Sequence, residues 1–128
     1  MAKALIVDDS KTIRTILSRI LRELGYETCE AANGVEGLKV MESEKTKINL
    51  VLADWNMPEM NGLEMIKRLR QNSALASLKI IMVTTETELD HMTSALEAGA
   101  DEYVMKPFTK EILREKLELV GILPVASE

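Results

Sequence analysis

The chain has 128 residues, one cysteine and a formal net charge of −5 at pH 7, and 46% of its residues are hydrophobic. The length predicts one domain with its own hydrophobic core. The negative charge argues against general nucleic-acid binding, which needs a basic surface, and a single cysteine excludes an internal disulfide and a multi-cysteine zinc site. No apolar segment approaches the roughly 18 residues of a membrane span. The start of the chain lacks the long apolar region of a signal peptide, so we expect a cytoplasmic protein.

Short apolar runs alternate along the chain with longer segments of helical period. The runs predict five strands, at 4–7, 27–31, 50–53, 79–83 and 102–105. The helix after each strand is marked by apolar residues at helical spacing: Ile13, Leu17, Ile20, Leu21 and Leu24; Val35, Leu38 and Met41; Leu63, Ile66 and Leu69; Leu89, Met92 and Leu96; and Ile112, Leu113, Leu117 and Val120. Gly25 closes the first helix and Gly99 the fourth, and the last helix is predicted at 110–119.

Five strand-then-helix units predict parallel strands joined by right-handed crossovers. The first, third and fourth strands are almost entirely apolar, which indicates that helices cover both faces of the sheet. We therefore predict a doubly wound α/β fold with a five-stranded parallel sheet. No repeat, low-complexity tract or linker divides the chain, so residues 1–123 are assigned to one domain and residues 124–128 to a short C-terminal tail.

Polar residues follow four of the predicted strands. Asp8 and Asp9 come directly after the first strand, Asp54 after the third, Thr84 after the fourth and Lys106 after the fifth. All C-terminal ends of parallel strands lie along one edge of the sheet, and ligands of such folds bind at that edge. We therefore expect three carboxylates, a hydroxyl and an amine to meet there.

This combination of groups limits the kinds of ligand and reaction that the site could support. Three carboxylates within several ångströms repel one another, and a hard divalent cation such as Mg²⁺ relieves that repulsion. A metal ion, an ammonium group and a hydroxyl around one further carboxylate suit a phosphoryl group, whose negative charge they offset. The carboxylate itself can act as the nucleophile and form an aspartyl phosphate.

The motifs DDS at 8–10, DWNMP at 54–58, Thr84 and KPF at 106–108 resemble the receiver domain of bacterial two-component response regulators. Within that family the single-domain chemotaxis regulators are the most similar, and the likeness spans nearly the whole chain. The resemblance implies a flavodoxin-like strand order of 2-1-3-4-5. It also implies a phosphorylation-dependent signalling switch, which is not an enzyme but carries Mg²⁺-dependent self-phosphorylation and autodephosphorylation chemistry.

The resemblance assigns roles to the residues at the strand ends. Asp54 would accept the phosphoryl group from a sensor histidine kinase of the chemotaxis type. Mg²⁺, which Mn²⁺ can replace, would be bound directly by Asp9, Asp54 and the backbone carbonyl of Asn56, while Asp8 would act mainly through water. Lys106 would hold a phosphoryl oxygen.

Further roles concern the response to phosphorylation. The Lys106–Pro107 peptide bond is expected to be cis, which is plausible because proline follows. Thr84 would move toward the phosphoryl group and make room for the ring of Tyr103 to turn inward. Asn56 and Glu86, each two residues after a site residue, resemble positions that tune hydrolysis of the aspartyl phosphate.

The resemblance also implies partners. The surface formed by the fourth helix, fifth strand and fifth helix would change its preference for a downstream protein, such as a flagellar switch protein. We expect a monomer that binds neither nucleic acid nor a membrane. The MAK start favours a natural N-terminus, and the ending GILPVASE is too short for an output domain. The sequence identifies neither the kinase nor the target, and it leaves open whether the chain was excised from a longer regulator.

Two residues depart from the usual family pattern. Asn61 stands where an acid is frequent in the loop after the third strand, and we expect it to affect only the turn. Thr85 follows Thr84 where the family often has alanine, so access to the phosphoryl site is expected to be narrower.

Several alternatives stay open at this point. Asp8 and Asp9 could simply cap the first helix, as acids often do. A Mg²⁺-dependent phosphohydrolase with an aspartate nucleophile is a rival, although Asn56 cannot transfer protons as the second acid of such enzymes does. A flavin or nucleotide binder is another, although no glycine-rich phosphate loop follows the first strand. A receiver-like scaffold that is never phosphorylated would normally lack a site residue, and none is missing.

The sequence also suggests the environment or role of several individual side chains outside the roles assigned above. His91 is interpreted as solvent-facing, neither a phosphocarrier nor a ligand. Cys29 is expected to be a small buried hydrophobic residue. Trp55, next to Asp54, is a natural fluorescence reporter of metal binding, and Met92 and Met105 could belong to an adaptable contact surface.

Overall fold

The computed structural model describes residues 2–44 and 47–122, and the predicted tail at 124–128 lies outside these ranges. The strands are β1 (Lys3–Val7), β2 (Glu27–Ala31), β3 (Ile48–Ala53), β4 (Lys79–Thr84) and β5 (Glu102–Met105). The helices are α1 (Lys11–Glu23), α2 (Gly34–Glu44), α3 (Gly62–Arg70), α4 (Leu89–Ala98) and α5 (Lys110–Leu119), and a short 3₁₀ helix at Ser73–Leu75 was not predicted.

All five strands are parallel and their order is β2-β1-β3-β4-β5. The predicted doubly wound fold and its strand order are confirmed. Because β1 and β3 are neighbours, and the chain leaves β1 into α1 on one face and β3 into α3 on the other, a crevice opens between their C-terminal ends. This crevice is where the acids of the sequence motifs lie.

The core has two layers because strand side chains alternate between the faces of the sheet. One layer packs β1, β3 and β4 against α2, α3 and α4, through residues that include Leu5, Val7, Val51, Ile80, Met41, Met65, Ile66, Leu69 and Ala95. The other packs the same strands against α1 and α5, through residues that include Ala4, Ile6, Leu50, Leu52, Ile81, Leu17, Leu21, Leu113 and Leu117. Burial on both faces explains why these strands are nearly all apolar.

Helix α4 is the helix whose apolar pattern differs most from its packing. Leu89 and Leu96, which mark the helix in the sequence, are 74% and 47% exposed, and the buried residue of this helix is Ala95. Their spacing therefore predicted the helix but not its buried face. None of the helices among the described residues is long and apolar enough to span a lipid bilayer.

Candidate functional site

Three carboxylates gather at the C-terminal ends of β1 and β3. The backbone N–H of Asp8 donates to Ala31 and that of Asp54 donates to Val7, so each acid extends its strand by one residue. Carboxylate oxygens of Asp8, Asp9 and Asp54 all lie within 4.8 Å of one another. Asp8 and Asp54 are buried, whereas Asp9 is exposed. The acids predicted to meet therefore do so, with one of them open to solvent.

The ammonium group of Lys106 joins two of these carboxylates. Its Nζ lies 2.8 Å from Oδ2 of Asp8 and 3.2 Å from Oδ2 of Asp54, and its side chain is largely buried. Burial by itself lowers the pKa of Lys106, but the hydrogen bond to Asp8 and the charge of Asp54 outweigh it, and the pKa is raised above its ordinary value. Lys106 is therefore held as a cation beside the proposed phosphoacceptor.

The second carboxylate oxygen of Asp54 is differently placed. Oδ1 is buried and has no hydrogen-bond partner among residues 2–44 and 47–122, whereas Oδ2 accepts from Lys106. A buried carboxylate oxygen without a partner is costly. A hard cation shared with Asp9 would satisfy it, since clustered oxygen ligands suit Mg²⁺. The donor set and this unpartnered oxygen fit a magnesium site.

Thr84 and Tyr103 lie on neighbouring strands beside the acids. Thr84 is fully buried, and its Oγ1 lies 3.4 Å from the backbone N–H of Glu86, which donates to it. The hydroxyl of Tyr103 donates to the backbone carbonyl of Glu86 over 2.6 Å, and the ring is only 4% exposed. The ring of Tyr103 is thus already turned inward in this structure. Burial, helped by the charges of Glu86 and Asp54, raises its pKa to about 12.

The loop between β3 and α3 closes tightly against Asp54. A Cβ atom on Gly62 would lie 2.1 Å from the carbonyl oxygen of Asp54, so no larger residue fits without a backbone shift. The N–H of Gly62 donates to the carbonyl of Trp55. Asn61 caps α3 by accepting from the N–H of Glu64 over 2.9 Å, which is the turn role expected for it. The sequence analysis missed the close approach of Gly62, because only the tertiary structure brings Asp54 against it.

Other predicted site residues are placed as follows. Asn56 is exposed and lines an open cleft of about 540 Å³ together with Asp9 and Trp55. The Lys106–Pro107 peptide bond is cis. The alternative in which acids cap α1 is wrong, because Ser10 is the N-cap and its Oγ accepts from the N–H of Ile13.

Two expectations about single side chains need correction. His91 is not solvent-facing: its ring packs against Trp55 with centroids 4.7 Å apart and planes at 89°, and its Nδ1 is buried. A lone histidine on a helix gives no periodic signal from which this contact could have been predicted. Cys29 is only partly buried, and its thiol packs against the core near the carbonyl of Ala4; its desolvation there raises the pKa of the thiol.

The chain was compared with known proteins. Residues 4–118 match the family model described as response regulator receiver domain. Chemotaxis protein CheY1 of Helicobacter pylori is 46% identical over 120 residues, which cover 92% of this chain and 95% of that protein. A chemotaxis protein CheY homolog of Campylobacter jejuni is 44% identical over 117 residues, covering 91% and 89% of the two chains. The solved structure of Vibrio cholerae chemotaxis protein CheY4 superposes with a TM-score of 0.86 at 38% identity, covering 94% of this chain and 98% of that chain.

The family match covers nearly all of the described residues, and the curated relatives share close to half of their residues with this chain over almost their whole length. The strand order agrees with the resemblance drawn from the motifs. The chain belongs to the response regulator receiver domain family and is a receiver domain of the CheY type.

Proposed function

We propose that this protein is a chemotaxis signalling switch that accepts a phosphoryl group on Asp54 from a sensor histidine kinase. The observation that carries the proposal is the asymmetry of the Asp54 carboxylate. One oxygen accepts a hydrogen bond from Lys106, while the other is buried and has no partner in the part of the chain that the structure describes. The carboxylate lies beside those of Asp8 and Asp9. That arrangement supports a nucleophilic carboxylate at the edge of a cation site.

In the proposed reaction an oxygen of Asp54 bonds to phosphorus as the nitrogen–phosphorus bond of the donor histidine breaks. With its other ring nitrogen already protonated, the imidazole leaves as a neutral group, and the electron pair of the broken bond stays on the leaving nitrogen. Lys106, fixed by Asp8 and Asp54, is placed to bind a phosphoryl oxygen and offset its charge. Asp9, Asp54 and the backbone carbonyl of Asn56 would hold Mg²⁺ or Mn²⁺, with Asp8 acting through water. When bound, the metal ion neutralises charge on the transferring group.

The hydroxyl of Thr84 is the proposed sensor of the new phosphoryl group. Thr84 is fully buried, and its hydroxyl accepts a hydrogen bond from the backbone N–H of Glu86, in the loop after β4. The backbone carbonyl of Glu86 in turn accepts a hydrogen bond from the hydroxyl of Tyr103. A shift of Thr84 toward a phosphoryl oxygen would act on this loop and on the position of Tyr103. Asn56 and Glu86 flank the site on the two loops and are proposed to tune hydrolysis of the aspartyl phosphate.

Output is proposed to go through the surface of α4, β5 and α5. This surface carries large exposed apolar side chains among the described residues: Leu89, Leu96, Met105, Ile112 and Leu119. Exposed apolar patches of this kind mark protein contacts. We propose that a downstream protein such as a flagellar switch protein docks there, and that the protein acts as a cytoplasmic monomer without binding nucleic acid or membrane.

The direct test is incubation with acetyl phosphate and Mg²⁺, followed by intact-mass measurement and peptide mapping. We expect one acid-labile phosphoryl group on Asp54, no labelling in Asp54→Asn, and much less labelling when the metal is chelated. Full labelling of Asp54→Asn would refute the assignment. Rapid multiple turnover of an external phosphomonoester would favour a phosphohydrolase instead.

A further inference from the structure

His91 joins the two loops that leave the candidate site. From the first turn of α4 its ring packs against Trp55, the residue directly after Asp54. Its Nε2 lies 3.5 Å from a carboxylate oxygen of Glu86, two residues after Thr84. One side chain therefore contacts both the loop after β3 and the loop after β4.

The environment of the ring is polar on one side and aromatic on the other. Nδ1 lies 3.6 Å from an oxygen of Glu88 and is buried without a hydrogen-bond partner among the described residues. The two carboxylates thus face the two ring nitrogens. An imidazole 4.7 Å from an indole also lies within the range of favourable aromatic contacts. These contacts restrict the ring to one place between the loops.

The groups that His91 contacts are themselves at the entrance to the site. Trp55 lines the open cleft with Asp9 and Asn56. Glu86 is linked through its backbone to Thr84 and Tyr103, and its side chain is 30% exposed. Loss of the His91 side chain would therefore leave both Trp55, which lines the cleft, and the side chain of Glu86 less restrained.

We propose that His91 is a positioning residue that holds Trp55 and Glu86 in place and thereby slows hydrolysis of the aspartyl phosphate on Asp54. In that hydrolysis the oxygen of water bonds to phosphorus and the bond between phosphorus and the Asp54 oxygen breaks. Asp54 leaves as a carboxylate, and the phosphate departs as dihydrogen phosphate with both hydrogens of the water. His91 touches none of these atoms and acts by limiting how the two loops admit and orient water.

The test compares His91→Leu, which keeps bulk but loses the polar contacts, with His91→Gln, which keeps a donor toward Glu86. After labelling with acetyl phosphate and removal of the donor, loss of the phosphoryl group is followed over time. We expect hydrolysis to be about three- to fivefold faster in His91→Leu, the effect of losing one partly exposed polar contact. His91→Gln should stay near the wild-type rate, and so should Glu88→Gln, which removes only the outer carboxylate.

A double-mutant cycle shows whether His91 acts through Glu86. On a Glu86→Gln background the effect of His91→Leu should shrink to less than half of its size in the wild type. Equal hydrolysis rates in wild type and His91→Leu would overturn the proposal, as would an undiminished effect on the Glu86→Gln background.

The inference rests on the proposed phosphorylation of Asp54, so a second readout uses the unphosphorylated protein. Trp55 is the only tryptophan of the chain, and its emission reports its own surroundings. His91→Ala, which removes the ring from Trp55, should make Trp55 more accessible to quenching by acrylamide, while Glu88→Gln, which keeps the ring, should not. If wild type takes up no phosphoryl group, the proposed function fails while the quenching still tests the contact. If labelling succeeds and quenching is unchanged, the role of His91 alone is refuted.

Discussion

Replacement of Lys106 by methionine removes the cation that lies between Asp8 and Asp54. Methionine retains an unbranched apolar side chain of similar length but no charge. Each contact of the ammonium group is worth about 5–6 kcal/mol of Coulomb energy at an effective dielectric constant near 20, before desolvation is subtracted. The net loss on breaking a buried ion pair is about 3–5 kcal/mol. Because Asp9 and the cleft admit solvent, we expect the lower end, about 3 kcal/mol without metal.

Magnesium should reduce this loss. In Lys106→Met the carboxylates of Asp8, Asp9 and Asp54 lack the ammonium group that compensates their charge, and a bound metal ion would supply a positive charge in its place. A ligand that binds the folded state alone stabilises it by an amount set by its concentration and affinity. Wild type is stabilised by Mg²⁺ as well, so the penalty falls only by as much as Lys106→Met, which lacks the competing ammonium charge, binds the ion more tightly. We expect the penalty to fall from about 3 kcal/mol in chelator to about 1 kcal/mol in saturating Mg²⁺.

Urea unfolding followed by far-ultraviolet circular dichroism measures both values, and an unchanged m-value shows that the unfolded reference is the same. Lys110→Met is the matched control, because Lys110 pairs with Glu23 at the surface, where both side chains are more than 40% exposed. Such exposed ion pairs contribute little to stability. The free energy of unfolding of Lys110→Met should therefore be close to that of wild type, and Mg²⁺ should not change the difference between the two proteins. A Lys106→Met penalty that is equally small, or that is the same with and without Mg²⁺, would refute the electrostatic account of the site.

Two further predictions concern the site and its neighbours. Gly62→Ala should be strongly destabilised and should lose Mg²⁺ binding, because the added Cβ would lie 2.1 Å from the carbonyl oxygen of Asp54; wild-type stability and metal affinity in this variant would contradict the packing. Wild-type stability should fall as the pH rises from 10 to about 12, because the unfolded chain releases the protons of Tyr103 and Tyr26 near pH 10, whereas burial raises their pKa to about 12 in the folded chain. In Tyr103→Phe the free energy of unfolding should decrease less between pH 10 and about 12 than it does in wild type. At neutral pH this variant should be about 1 kcal/mol less stable, because it loses the hydrogen bond to Glu86. Urea unfolding at several pH values measures both effects, and a decrease as large as that of wild type would contradict the reasoning.

Much of the fold follows from patterns that the sequence displays directly. Residues 50–53 and 80–83 are apolar runs of strand length, and they become parts of central strands covered on both faces. Their length and composition were enough to predict a parallel sheet, because such strands are buried whichever way their side chains point. The acids at the strand ends then had to share one edge, so their meeting could be predicted without knowing any distance.

Other features depend on contacts that no local pattern reports. Leu89 and Leu96 have helical spacing, but spacing alone does not distinguish a face that packs on the sheet from one left for a partner. Likewise His91 and Trp55 are far apart in the sequence, and nothing in either neighbourhood indicates that their rings pack together. Gly62 is the first residue of α3, and its close approach to Asp54 appears only once that helix is packed.

The most direct test of the account is calorimetric titration of Mg²⁺ into the wild-type protein and into Asp54→Asn and Asp9→Asn. Because carboxylate oxygens of these acids lie within 4.8 Å of one another, the account predicts one bound Mg²⁺ in wild type. It also predicts at least a roughly tenfold loss of affinity, about 1.4 kcal/mol, in each variant. Glu97→Gln, which changes an exposed acid near the C-terminal end of α4, at the opposite edge of the sheet, should bind Mg²⁺ as wild type does. Absence of Mg²⁺ binding by wild type, or equal affinity in Asp54→Asn, would contradict the account.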